Sequence, residues 1–344
     1  PHTTLLTSLS LLLGTAITIS SNHWIMAWTG LEINTLAIIP LISKSHHPRA
    51  IEATVKYFLV QAAASALLLF SSMTNAWSTG QWDITQMTCP TSCLLMTTAI
   101  AMKLGLAPFH FWLPEVLQGT SLITALLLST LMKLPPLTLL LLTSHSLNHT
   151  LLTIMAISST AIGGWTGLNQ TQTRKILAFS SIAHLGWMVA IILYHPKLAL
   201  LTFYLYTLLT TTVFLTLNTT STLSLQTMMI SWTKAPMLNT TLMLVLLSLA
   251  GLPPLTGFLP KWLILQELTN QGLAPTATAI AMLSLLGLFF YLRLAYYSAI
   301  TLPPNSSTHM KQWHTNNPPS PNIAPLTSMS ILLLPLSPMI LASL

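Results

Sequence analysis

Long apolar runs separated by short polar or Pro/Gly-rich intervals dominate the chain. A helix that crosses the hydrocarbon core of a bilayer needs about 20 apolar residues. Helices are favoured over barrel strands because lipid satisfies no backbone polar group and because the runs are far longer than a strand. The pattern therefore predicts an all-α polytopic membrane protein with about 11 transmembrane helices. The predicted helices lie near residues 3–21, 24–43, 50–73, 92–113, 121–143, 150–166, 174–194, 197–217, 237–269, 275–298 and 323–343.

The composition agrees with this interpretation. The chain is 52% hydrophobic and 5% charged, whereas an ordinary soluble domain is about 25% charged. The net charge is +7, but the basic residues are scattered singly and form no cluster of the kind that binds nucleic acid. The composition therefore excludes a soluble enzyme and predicts no nucleic-acid partner.

The basic residues are unevenly divided between the two sides of the predicted topology. One side holds only Lys197, together with the acidic Asp83. Because Lys/Arg bias orients membrane proteins, the N-terminus is predicted on the basic side, where the protein is synthesised, and the C-terminus on the opposite side. The residues assigned to the basic side are Lys44, Arg49, Arg174, Lys175, Lys234, Arg293 and Lys311.

Two Gly/Pro interruptions with matching patterns fall in the fourth and ninth predicted helices. Gly105 and Pro108 interrupt the first, and Gly251, Pro253 and Pro254 interrupt the second. Proline removes a backbone donor and glycine permits a bend, and paired interruptions at corresponding positions of two halves are typical of transport sites. The alternative is that these residues only kink helices for packing.

The interruptions predict an internal repeat. Each is fourth in a set of five helices, and an odd number of crossings inverts the second copy. We expect a first five-helix repeat over residues 1–146 with a discontinuous fourth helix at 92–113, and an inverted second repeat over 147–300 with its discontinuous helix at 237–269. Residues 301–344 are predicted to form a loop and a C-terminal transmembrane helix.

Four charged residues lie near the middle of predicted helices: Glu32, Lys103, Lys133 and Lys261. An ionisable residue at the bilayer centre costs about 2.5–3.5 kcal/mol, so these four are candidates for a proton or ion path. Lys103 is the candidate partner of Glu32. The alternatives are a static ion pair for Glu32 and Lys103, and a snorkelling side chain for Lys133.

His184 is a further candidate because histidine titrates nearest neutral pH. With Ser180 and Ser181 one turn back, it is placed to relay a proton through water; the alternative is a hydrogen-bonded packing group. Glu52 and Lys56 are spaced as a surface ion pair, and Glu115 is a candidate entrance residue.

No catalytic site and no metal site are predicted. The chain has no dinucleotide-binding or Walker loop and no haem- or cluster-ligand set. Its two cysteines, Cys89 and Cys93, lack the paired spacing and neighbouring histidines of a metal site. Any redox chemistry associated with the chain is therefore expected in other proteins.

Four long motifs resemble those of the antiporter-like membrane subunits of respiratory complex I, and their order and spacing cover nearly the whole chain. Full-length members of that family have about fourteen helices, and the shortened animal form lacks three at the N-terminus, which would leave both repeats whole. The motifs are Trp28–Glu32, Ala101–Glu115, Arg174–His184 and Leu249–Phe258.

The resemblance implies a proton-translocating core subunit of NADH:ubiquinone oxidoreductase, driven by redox chemistry elsewhere. Glu32, Lys103, Lys133 and Lys261 would form its central polar axis, with His184 a further candidate. NADH, FMN, Fe–S clusters and ubiquinone would be bound by other subunits. The partners would be membrane-arm core and accessory subunits and phospholipids.

The resemblance also implies a location in the mitochondrial inner membrane, with the N-terminus in the matrix and the C-terminus in the intermembrane space. Two alternatives remain open from the sequence. One is an autonomous Mrp-like cation/proton antiporter, and the other is a membrane-arm scaffold in which the buried charges only fix helix register.

Overall fold

A computed structural model describes residues 2–44, 46–299 and 323–337 of the chain. The described residues form helices and no strand, so the all-α prediction is confirmed. The predicted loop at 301–322, which includes Lys311, and the last part of the predicted C-terminal helix, residues 338–344, lie outside the described residues.

The helices follow the apolar runs closely. Those in the described part of the chain are α1 (His2–Ser20), α2 (Trp24–Ser43), α3 (Pro48–Thr79), α4 (Pro90–Leu104), α5 (Trp112–Gly119), α6 (Leu122–Ser129), α7 (Leu134–Leu142), α8 (His149–Gly167), α9 (Thr173–Ile192), α10 (Pro196–Thr220), α11 (Leu225–Lys234), α12 (Pro236–Ala250), α13 (Phe258–Asn270), α14 (Ala274–Ala299) and α15 (Ile323–Leu332).

Six helical segments of the described chain are long and apolar enough to cross a membrane. They are Trp24–Ser43, Pro48–Thr79, Leu122–Leu142, Thr173–Ile192, Pro196–Thr220 and Ala274–Ser298. Shorter apolar helices include Pro236–Ala250, which is the first half of an interrupted helix.

The chain forms two compact units, Pro1–Ser159 and Thr160–Leu344, and the division falls within α8. In the first unit, α3 packs against α2, α4 and α5, and α1 packs against α2 and α7. In the second unit, α10 packs against α9, α12, α13 and α15, and α12 packs against α14. Each unit therefore packs one of the two helices with a Gly/Pro break against its neighbours.

Small residues bring α1 and α2 into close contact. A Cβ on Gly30 would lie 2.9 Å from the Gly14 carbonyl, so only glycine fits at this crossing, as at other membrane-helix interfaces. With its amide oriented to satisfy its hydrogen bonds, Asn34 donates to the Leu11 carbonyl at 2.8 Å and accepts from the Thr15 amide at 3.3 Å. The contact fixes α2, which carries Glu32.

The main differences from the sequence prediction are two longer helices and one additional helix. Helix α3 continues to Thr79, beyond the predicted end at residue 73, and ends at Gly80, which has φ +73° and donates its amide to the Ala76 carbonyl. The first interrupted helix continues through α5 to Gly119, beyond the predicted end at residue 113. Helix α11 was not predicted; Ser224 and Thr227 cap its N-terminus reciprocally.

Candidate functional site

The first interruption lies in the first unit and begins immediately after α4. Gly105 has φ +76°, a left-handed conformation that favours glycine. Its amide donates to the carbonyls of Ala101 and Met102 at 2.9 and 3.3 Å, which ends the helix. Trp112, the first residue of α5, donates its indole N–H back to the Met102 carbonyl at 3.1 Å. Lys103 therefore lies in the last turn of a helix that ends inside the protein.

A second interruption in this unit was not predicted. Helix α6 ends at Ser129, a 3₁₀ turn covers Leu131–Lys133, and α7 begins at Leu134. Pro135 and Pro136 follow at once; because proline has no N–H, neither can donate to a carbonyl one turn back. The sequence carried this signal, but residues 121–143 were predicted as one uninterrupted helix. Lys133 therefore also lies at a helix interruption.

Lys103 and Lys133 line the same internal cavity in the first unit. Their relative exposures are 5% and 2%, so both cationic side chains lie inside the protein. Other polar residues also line this cavity: Asn34, Thr35, Tyr57 and Gln61. The structure therefore brings two of the predicted residues together at one cavity, which polar and apolar side chains line together.

Glu32 interacts electrostatically with Lys103 but does not form a contact ion pair with it. Among the described residues, the ion pairs within 4.0 Å involve other carboxylates. The carboxylate of Glu32 accepts a hydrogen bond from the Thr35 hydroxyl at 3.2 Å, and the Gln61 amide donates to the Lys103 carbonyl at 3.5 Å. The expected interaction between Glu32 and Lys103 is therefore electrostatic, without direct contact between the two side chains.

The interruption in the second unit separates α12 from α13. Gly251 has φ +83° and ends α12 by donating to the Ser248 carbonyl at 2.9 Å. Gly257 returns the chain so closely to α12 that a Cβ there would collide with the Ser248 carbonyl. The connecting segment is therefore folded tightly against the end of α12, and α13 begins at Phe258.

Lys261 lies in the first turn of α13 and reaches back to the end of α12. Its Nζ donates to the Ala250 carbonyl at 2.7 Å and lies 5.9 Å from the centre of the Trp187 ring. The side chain crosses directly over Gly251, where a Cβ would lie 2.8 Å from Lys261 Cδ. The last carbonyls of a helix lack intrahelical donors and carry partial negative charge, so the ammonium group stabilises this helix end.

His184 lies in α9 between two tyrosines that the sequence analysis missed. Its Nε2 is 3.3 Å from the Tyr291 hydroxyl, and its ring centre is 5.5 Å from that of Tyr206. Both tyrosines are only 3% exposed. A tyrosine within an apolar run is a usable signal, because a buried hydroxyl needs a hydrogen-bond partner.

Two cavities in the second unit share one set of lining residues: His184, Trp187, Leu249 and Lys261. Tyr206 borders one of these cavities and Tyr291 borders the other. The structure therefore brings His184 and Lys261 into one polar site with a tyrosine on each side. Such a set of donors and acceptors is suited to moving protons through short hydrogen-bonded chains.

The remaining acidic and basic candidates lie at the periphery. Lys56 contacts Glu52 at 2.5 Å, as the spacing predicted, and also Glu115 at 2.6 Å. The side chains of Glu52 and Glu115 are 61% and 51% exposed. His195 lies 3.4 Å from Glu267. In the searched part of the chain, no three His, Cys, Asp or Glu residues are grouped so that they could hold a metal ion.

Comparison with known proteins identifies close relatives along the full length. The chain is 76% identical to NADH-ubiquinone oxidoreductase chain 2 of Struthio camelus, over 100% of this chain and 99% of the relative. It is 74% identical to the protein of the same name from Gallus gallus, with the same coverage. A family model described as the C-terminus of NADH dehydrogenase subunit 2 matches residues 288–341.

Solved structures share the fold. A chain of respiratory complex I from Thermus thermophilus is 25% identical, with a TM-score of 0.84 over 97% of this chain and 80% of that one. A chain of the Mrp complex from Dietzia sp. is 16% identical, with a TM-score of 0.82 over 97% and 75%. The family model for the transmembrane domain of the NADH:quinone oxidoreductase/Mrp antiporter proteins matches residues 21–287. The chain therefore belongs to the NADH:quinone oxidoreductase/Mrp antiporter family.

Proposed function

We propose that this chain is a proton-translocating, antiporter-like core subunit of an NADH:ubiquinone oxidoreductase. Relatives that are 74–76% identical carry the name NADH-ubiquinone oxidoreductase chain 2, and a chain of a solved respiratory complex I has the same fold. The protons move along an axis formed by Glu32, Lys103, Lys133, His184 and Lys261, and redox chemistry in other subunits drives the movement.

One observation carries the proposal: each of the three lysines lies at an interruption of a helix. Lys103 precedes the break after α4, Lys133 lies in the turn between α6 and α7, and Lys261 follows the break after α12. Irregular backbone at membrane depth is tolerated only where protein or water satisfies it. A lysine that served only to hold neighbouring helices in place would not require the helix to be interrupted at that lysine.

The surroundings of two of these lysines act on the ammonium group in opposite senses. Burial disfavours the charged form, while the charge of Glu32 favours it at Lys103 and the carbonyl of Ala250 favours it at Lys261. A proton arriving at one group changes the electrostatic energy of its neighbours, and this effect is larger in a low-dielectric interior than in water. Charge can therefore pass along the axis without large movements of the backbone.

The remaining assignments extend this proposal. The chain crosses the mitochondrial inner membrane with 11 helices, arranged as inverted repeats at 1–146 and 147–300 and a C-terminal helix in 301–344. The N-terminus faces the matrix and the C-terminus the intermembrane space. NADH, FMN, Fe–S clusters and ubiquinone are bound by other subunits, and membrane-arm subunits and phospholipids surround the chain.

Turnover-coupled proton pumping by the assembled complex tests the proposal. In Lys103→Met, pumping is expected to fall at least about tenfold, because the methionine side chain has a similar length but cannot carry a proton. Assembly and NADH oxidation are measured alongside. Lys44→Met, which changes an exposed lysine at the end of α2, is the matched control. Normal pumping per electron in Lys103→Met would make the central charges structural and overturn the proposal.

A further inference from the structure

The C-terminal helix α15 contacts the helix break in the second unit. In the segment between α12 and α13, the Thr256 hydroxyl donates a hydrogen bond to the backbone carbonyl of Ser330. Both residues are only 2% exposed. Ser330 belongs to the last turn of α15, where carbonyls lack an intrahelical donor. The hydrogen bond therefore joins the end of α15 to the interruption that precedes Lys261.

A cluster of leucines lies beside this hydrogen bond. Thr256 lines a cavity that four leucines also line, and these four are buried and pack together in one hydrophobic cluster. In such apolar surroundings a carbonyl that loses its donor is costly to leave unsatisfied. The contact is therefore expected to hold its two partners together. The leucines are Leu201 and Leu205 of α10, Leu259 of α13 and Leu333, which follows α15.

Thr256 connects α15 with the start of α13. It is the only residue of the segment 251–257 with a polar side chain. Pro253 and Pro254 have no backbone N–H, so neither can donate a hydrogen bond within the segment. The Thr256 carbonyl accepts from the Leu259 amide at 3.3 Å, in the first turn of α13. The segment is thus held on one side by α15 and leads directly into α13 on the other.

The position of α13 determines the contact that Lys261 makes. Lys261 lies in the first turn of α13, and its Nζ donates to the Ala250 carbonyl at 2.7 Å. A shift of about 1 Å at the start of α13 would take this distance beyond the range of a hydrogen bond. The hydrogen bond at Thr256 therefore acts on the Lys261 contact through the backbone of α13.

We propose that α15 anchors the helix break in the second unit: the hydrogen bond from the Thr256 hydroxyl to the Ser330 carbonyl positions α13 so that Lys261 reaches the Ala250 carbonyl. Thr256 is then a positioning residue. The inference rests on the proposed function, because Lys261 belongs to the proposed axis. The anchor comes from residues 288–341, which match the subunit 2 C-terminus model and lie beyond the match to the shared transmembrane domain.

Thr256→Val in the assembled complex tests the inference with two measurements. Valine has nearly the shape of threonine but cannot donate to the Ser330 carbonyl. Amide hydrogen exchange over residues 251–261 is expected to become about three- to tenfold faster, the factor that one hydrogen bond typically represents. Protons pumped per electron are expected to fall about three- to tenfold. Thr256→Ser keeps the hydroxyl and is expected to stay within about twofold of the parent in both measurements.

Two control variants remove a comparable hydroxyl without removing this contact. Ser330→Ala deletes a hydroxyl that donates within α15, to the Thr327 carbonyl at 2.8 Å, and keeps the Ser330 carbonyl. Thr212→Val makes the same substitution at a buried threonine of α10, whose hydroxyl donates to the Leu209 carbonyl at 2.7 Å. Both controls are expected to remain within about twofold of the parent.

Three outcomes in the Thr256 variants would overturn the inference. One is unchanged exchange and pumping in Thr256→Val. Another is faster exchange with normal pumping per electron, since the hydrogen bond would then not position Lys261. The third is a loss in Thr256→Ser as large as in Thr256→Val, because the hydroxyl would then not be the cause.

Lys261→Met separates this inference from the proposed function. If Lys261→Met stops pumping while Thr256→Val pumps normally, the anchor is wrong and the pathway stands. If Lys261→Met pumps normally, the pathway itself fails.

Should Thr256→Val not assemble, two adjacent leucines at the end of α15 decide. Leu333 is buried in the leucine cluster at 7% exposure, whereas Leu332 is 67% exposed. Leu333→Ala is expected to speed exchange over residues 251–261 and to lower pumping per electron at least about threefold, while Leu332→Ala changes neither. Equal behaviour of the two variants would contradict the inference.

Discussion

Lys103 and Lys261 occupy the same kind of place in the two units but reach it from opposite directions along the chain. Lys103 belongs to the last turn of the helix that ends at its break. Lys261 belongs to the helix that begins after its break and extends back to the carbonyl of Ala250. In both units a lysine therefore belongs to a helix turn next to the break, but only Lys261 places its ammonium group at the carbonyl end of the first half-helix, where the partial negative charge stabilises it.

The two lysines are held by different interactions. Lys261 Nζ has a direct acceptor at 2.7 Å. Lys103 Nζ makes no hydrogen bond to the described residues, and the charge that acts on it is Glu32. A through-space interaction constrains a side chain less than a hydrogen bond does. The comparison teaches that the first unit holds its lysine by a charge and the second by a carbonyl.

The largest expected effect is at Gly257. In Gly257→Ala the new Cβ would collide with the backbone carbonyl of Ser248, which cannot move without displacing the end of α12. We expect no assembled complex, as judged by native gel electrophoresis. Gly272→Ala is the control: Gly272 also has a positive φ, +74°, but nothing lies within 4 Å, so a cost of about 1–2 kcal/mol and normal assembly are expected.

The next largest effect is expected when the glycine at each of the two breaks is replaced by alanine. In Gly251→Ala the Cβ meets Lys261 Cδ at 2.8 Å, whereas in Gly105→Ala it meets Leu113 Cδ1 at 3.3 Å. Both variants carry the cost of a left-handed alanine, about 1–2 kcal/mol, but only the first displaces the lysine. Pumping per assembled complex is expected to fall about tenfold in Gly251→Ala and markedly less in Gly105→Ala. Equal losses would show that the lysine geometry does not matter.

A smaller effect is expected from removing the charge that acts on Lys103. Glu32→Gln keeps the size of the side chain but leaves the buried ammonium without its opposite charge, so pumping is expected to fall about three- to tenfold. Thr35→Val removes only the hydroxyl that donates to Glu32 and is expected to change pumping less than about twofold. If the two variants behave alike, Lys103 does not depend on the carboxylate.

The smallest effect is expected at Cys89, next to the start of the first interrupted helix. Changes there are expected to leave pumping unchanged. Hydrogen bonding from Thr91 lowers the pKa of the Cys89 thiol to about 7, whereas Cys93 is buried. A membrane-impermeant maleimide is expected to label Cys89 from the side of Asp83, opposite the basic side. Labelling should rise through pH 7 as the thiolate forms. Thr91→Val is expected to move this rise to higher pH, and labelling from the basic side would reverse the proposed topology.

Part of the candidate site was predictable from the sequence because its causes are local. Gly105 and Gly251 end their helices through a left-handed conformation that other residues rarely adopt. The turn at Lys133 also has a local cause in Pro135 and Pro136, and the sequence analysis failed to use it. Lys103, Lys133 and Lys261 stand out because charge is expensive at membrane depth.

The contacts that give these residues their chemistry were not predictable in the same way. The hydrogen bond between His184 and Tyr291 joins α9 to α14, and the ion pair between Lys56 and Glu115 joins α3 to α5. Such contacts depend on which faces of distant helices meet, and apolar periodicity does not encode this when a helix is hydrophobic on every side.

The sequence by itself determined the helical membrane fold, the family and the positions of the main helix breaks. Each follows from apolar run length, from backbone chemistry at Gly and Pro, or from motifs that occur in one order. Only the tertiary structure decided that Lys261 caps Ala250 and that two tyrosines enclose His184. The physical reason is that a buried polar group acquires its role from the partners that packing brings within hydrogen-bond distance.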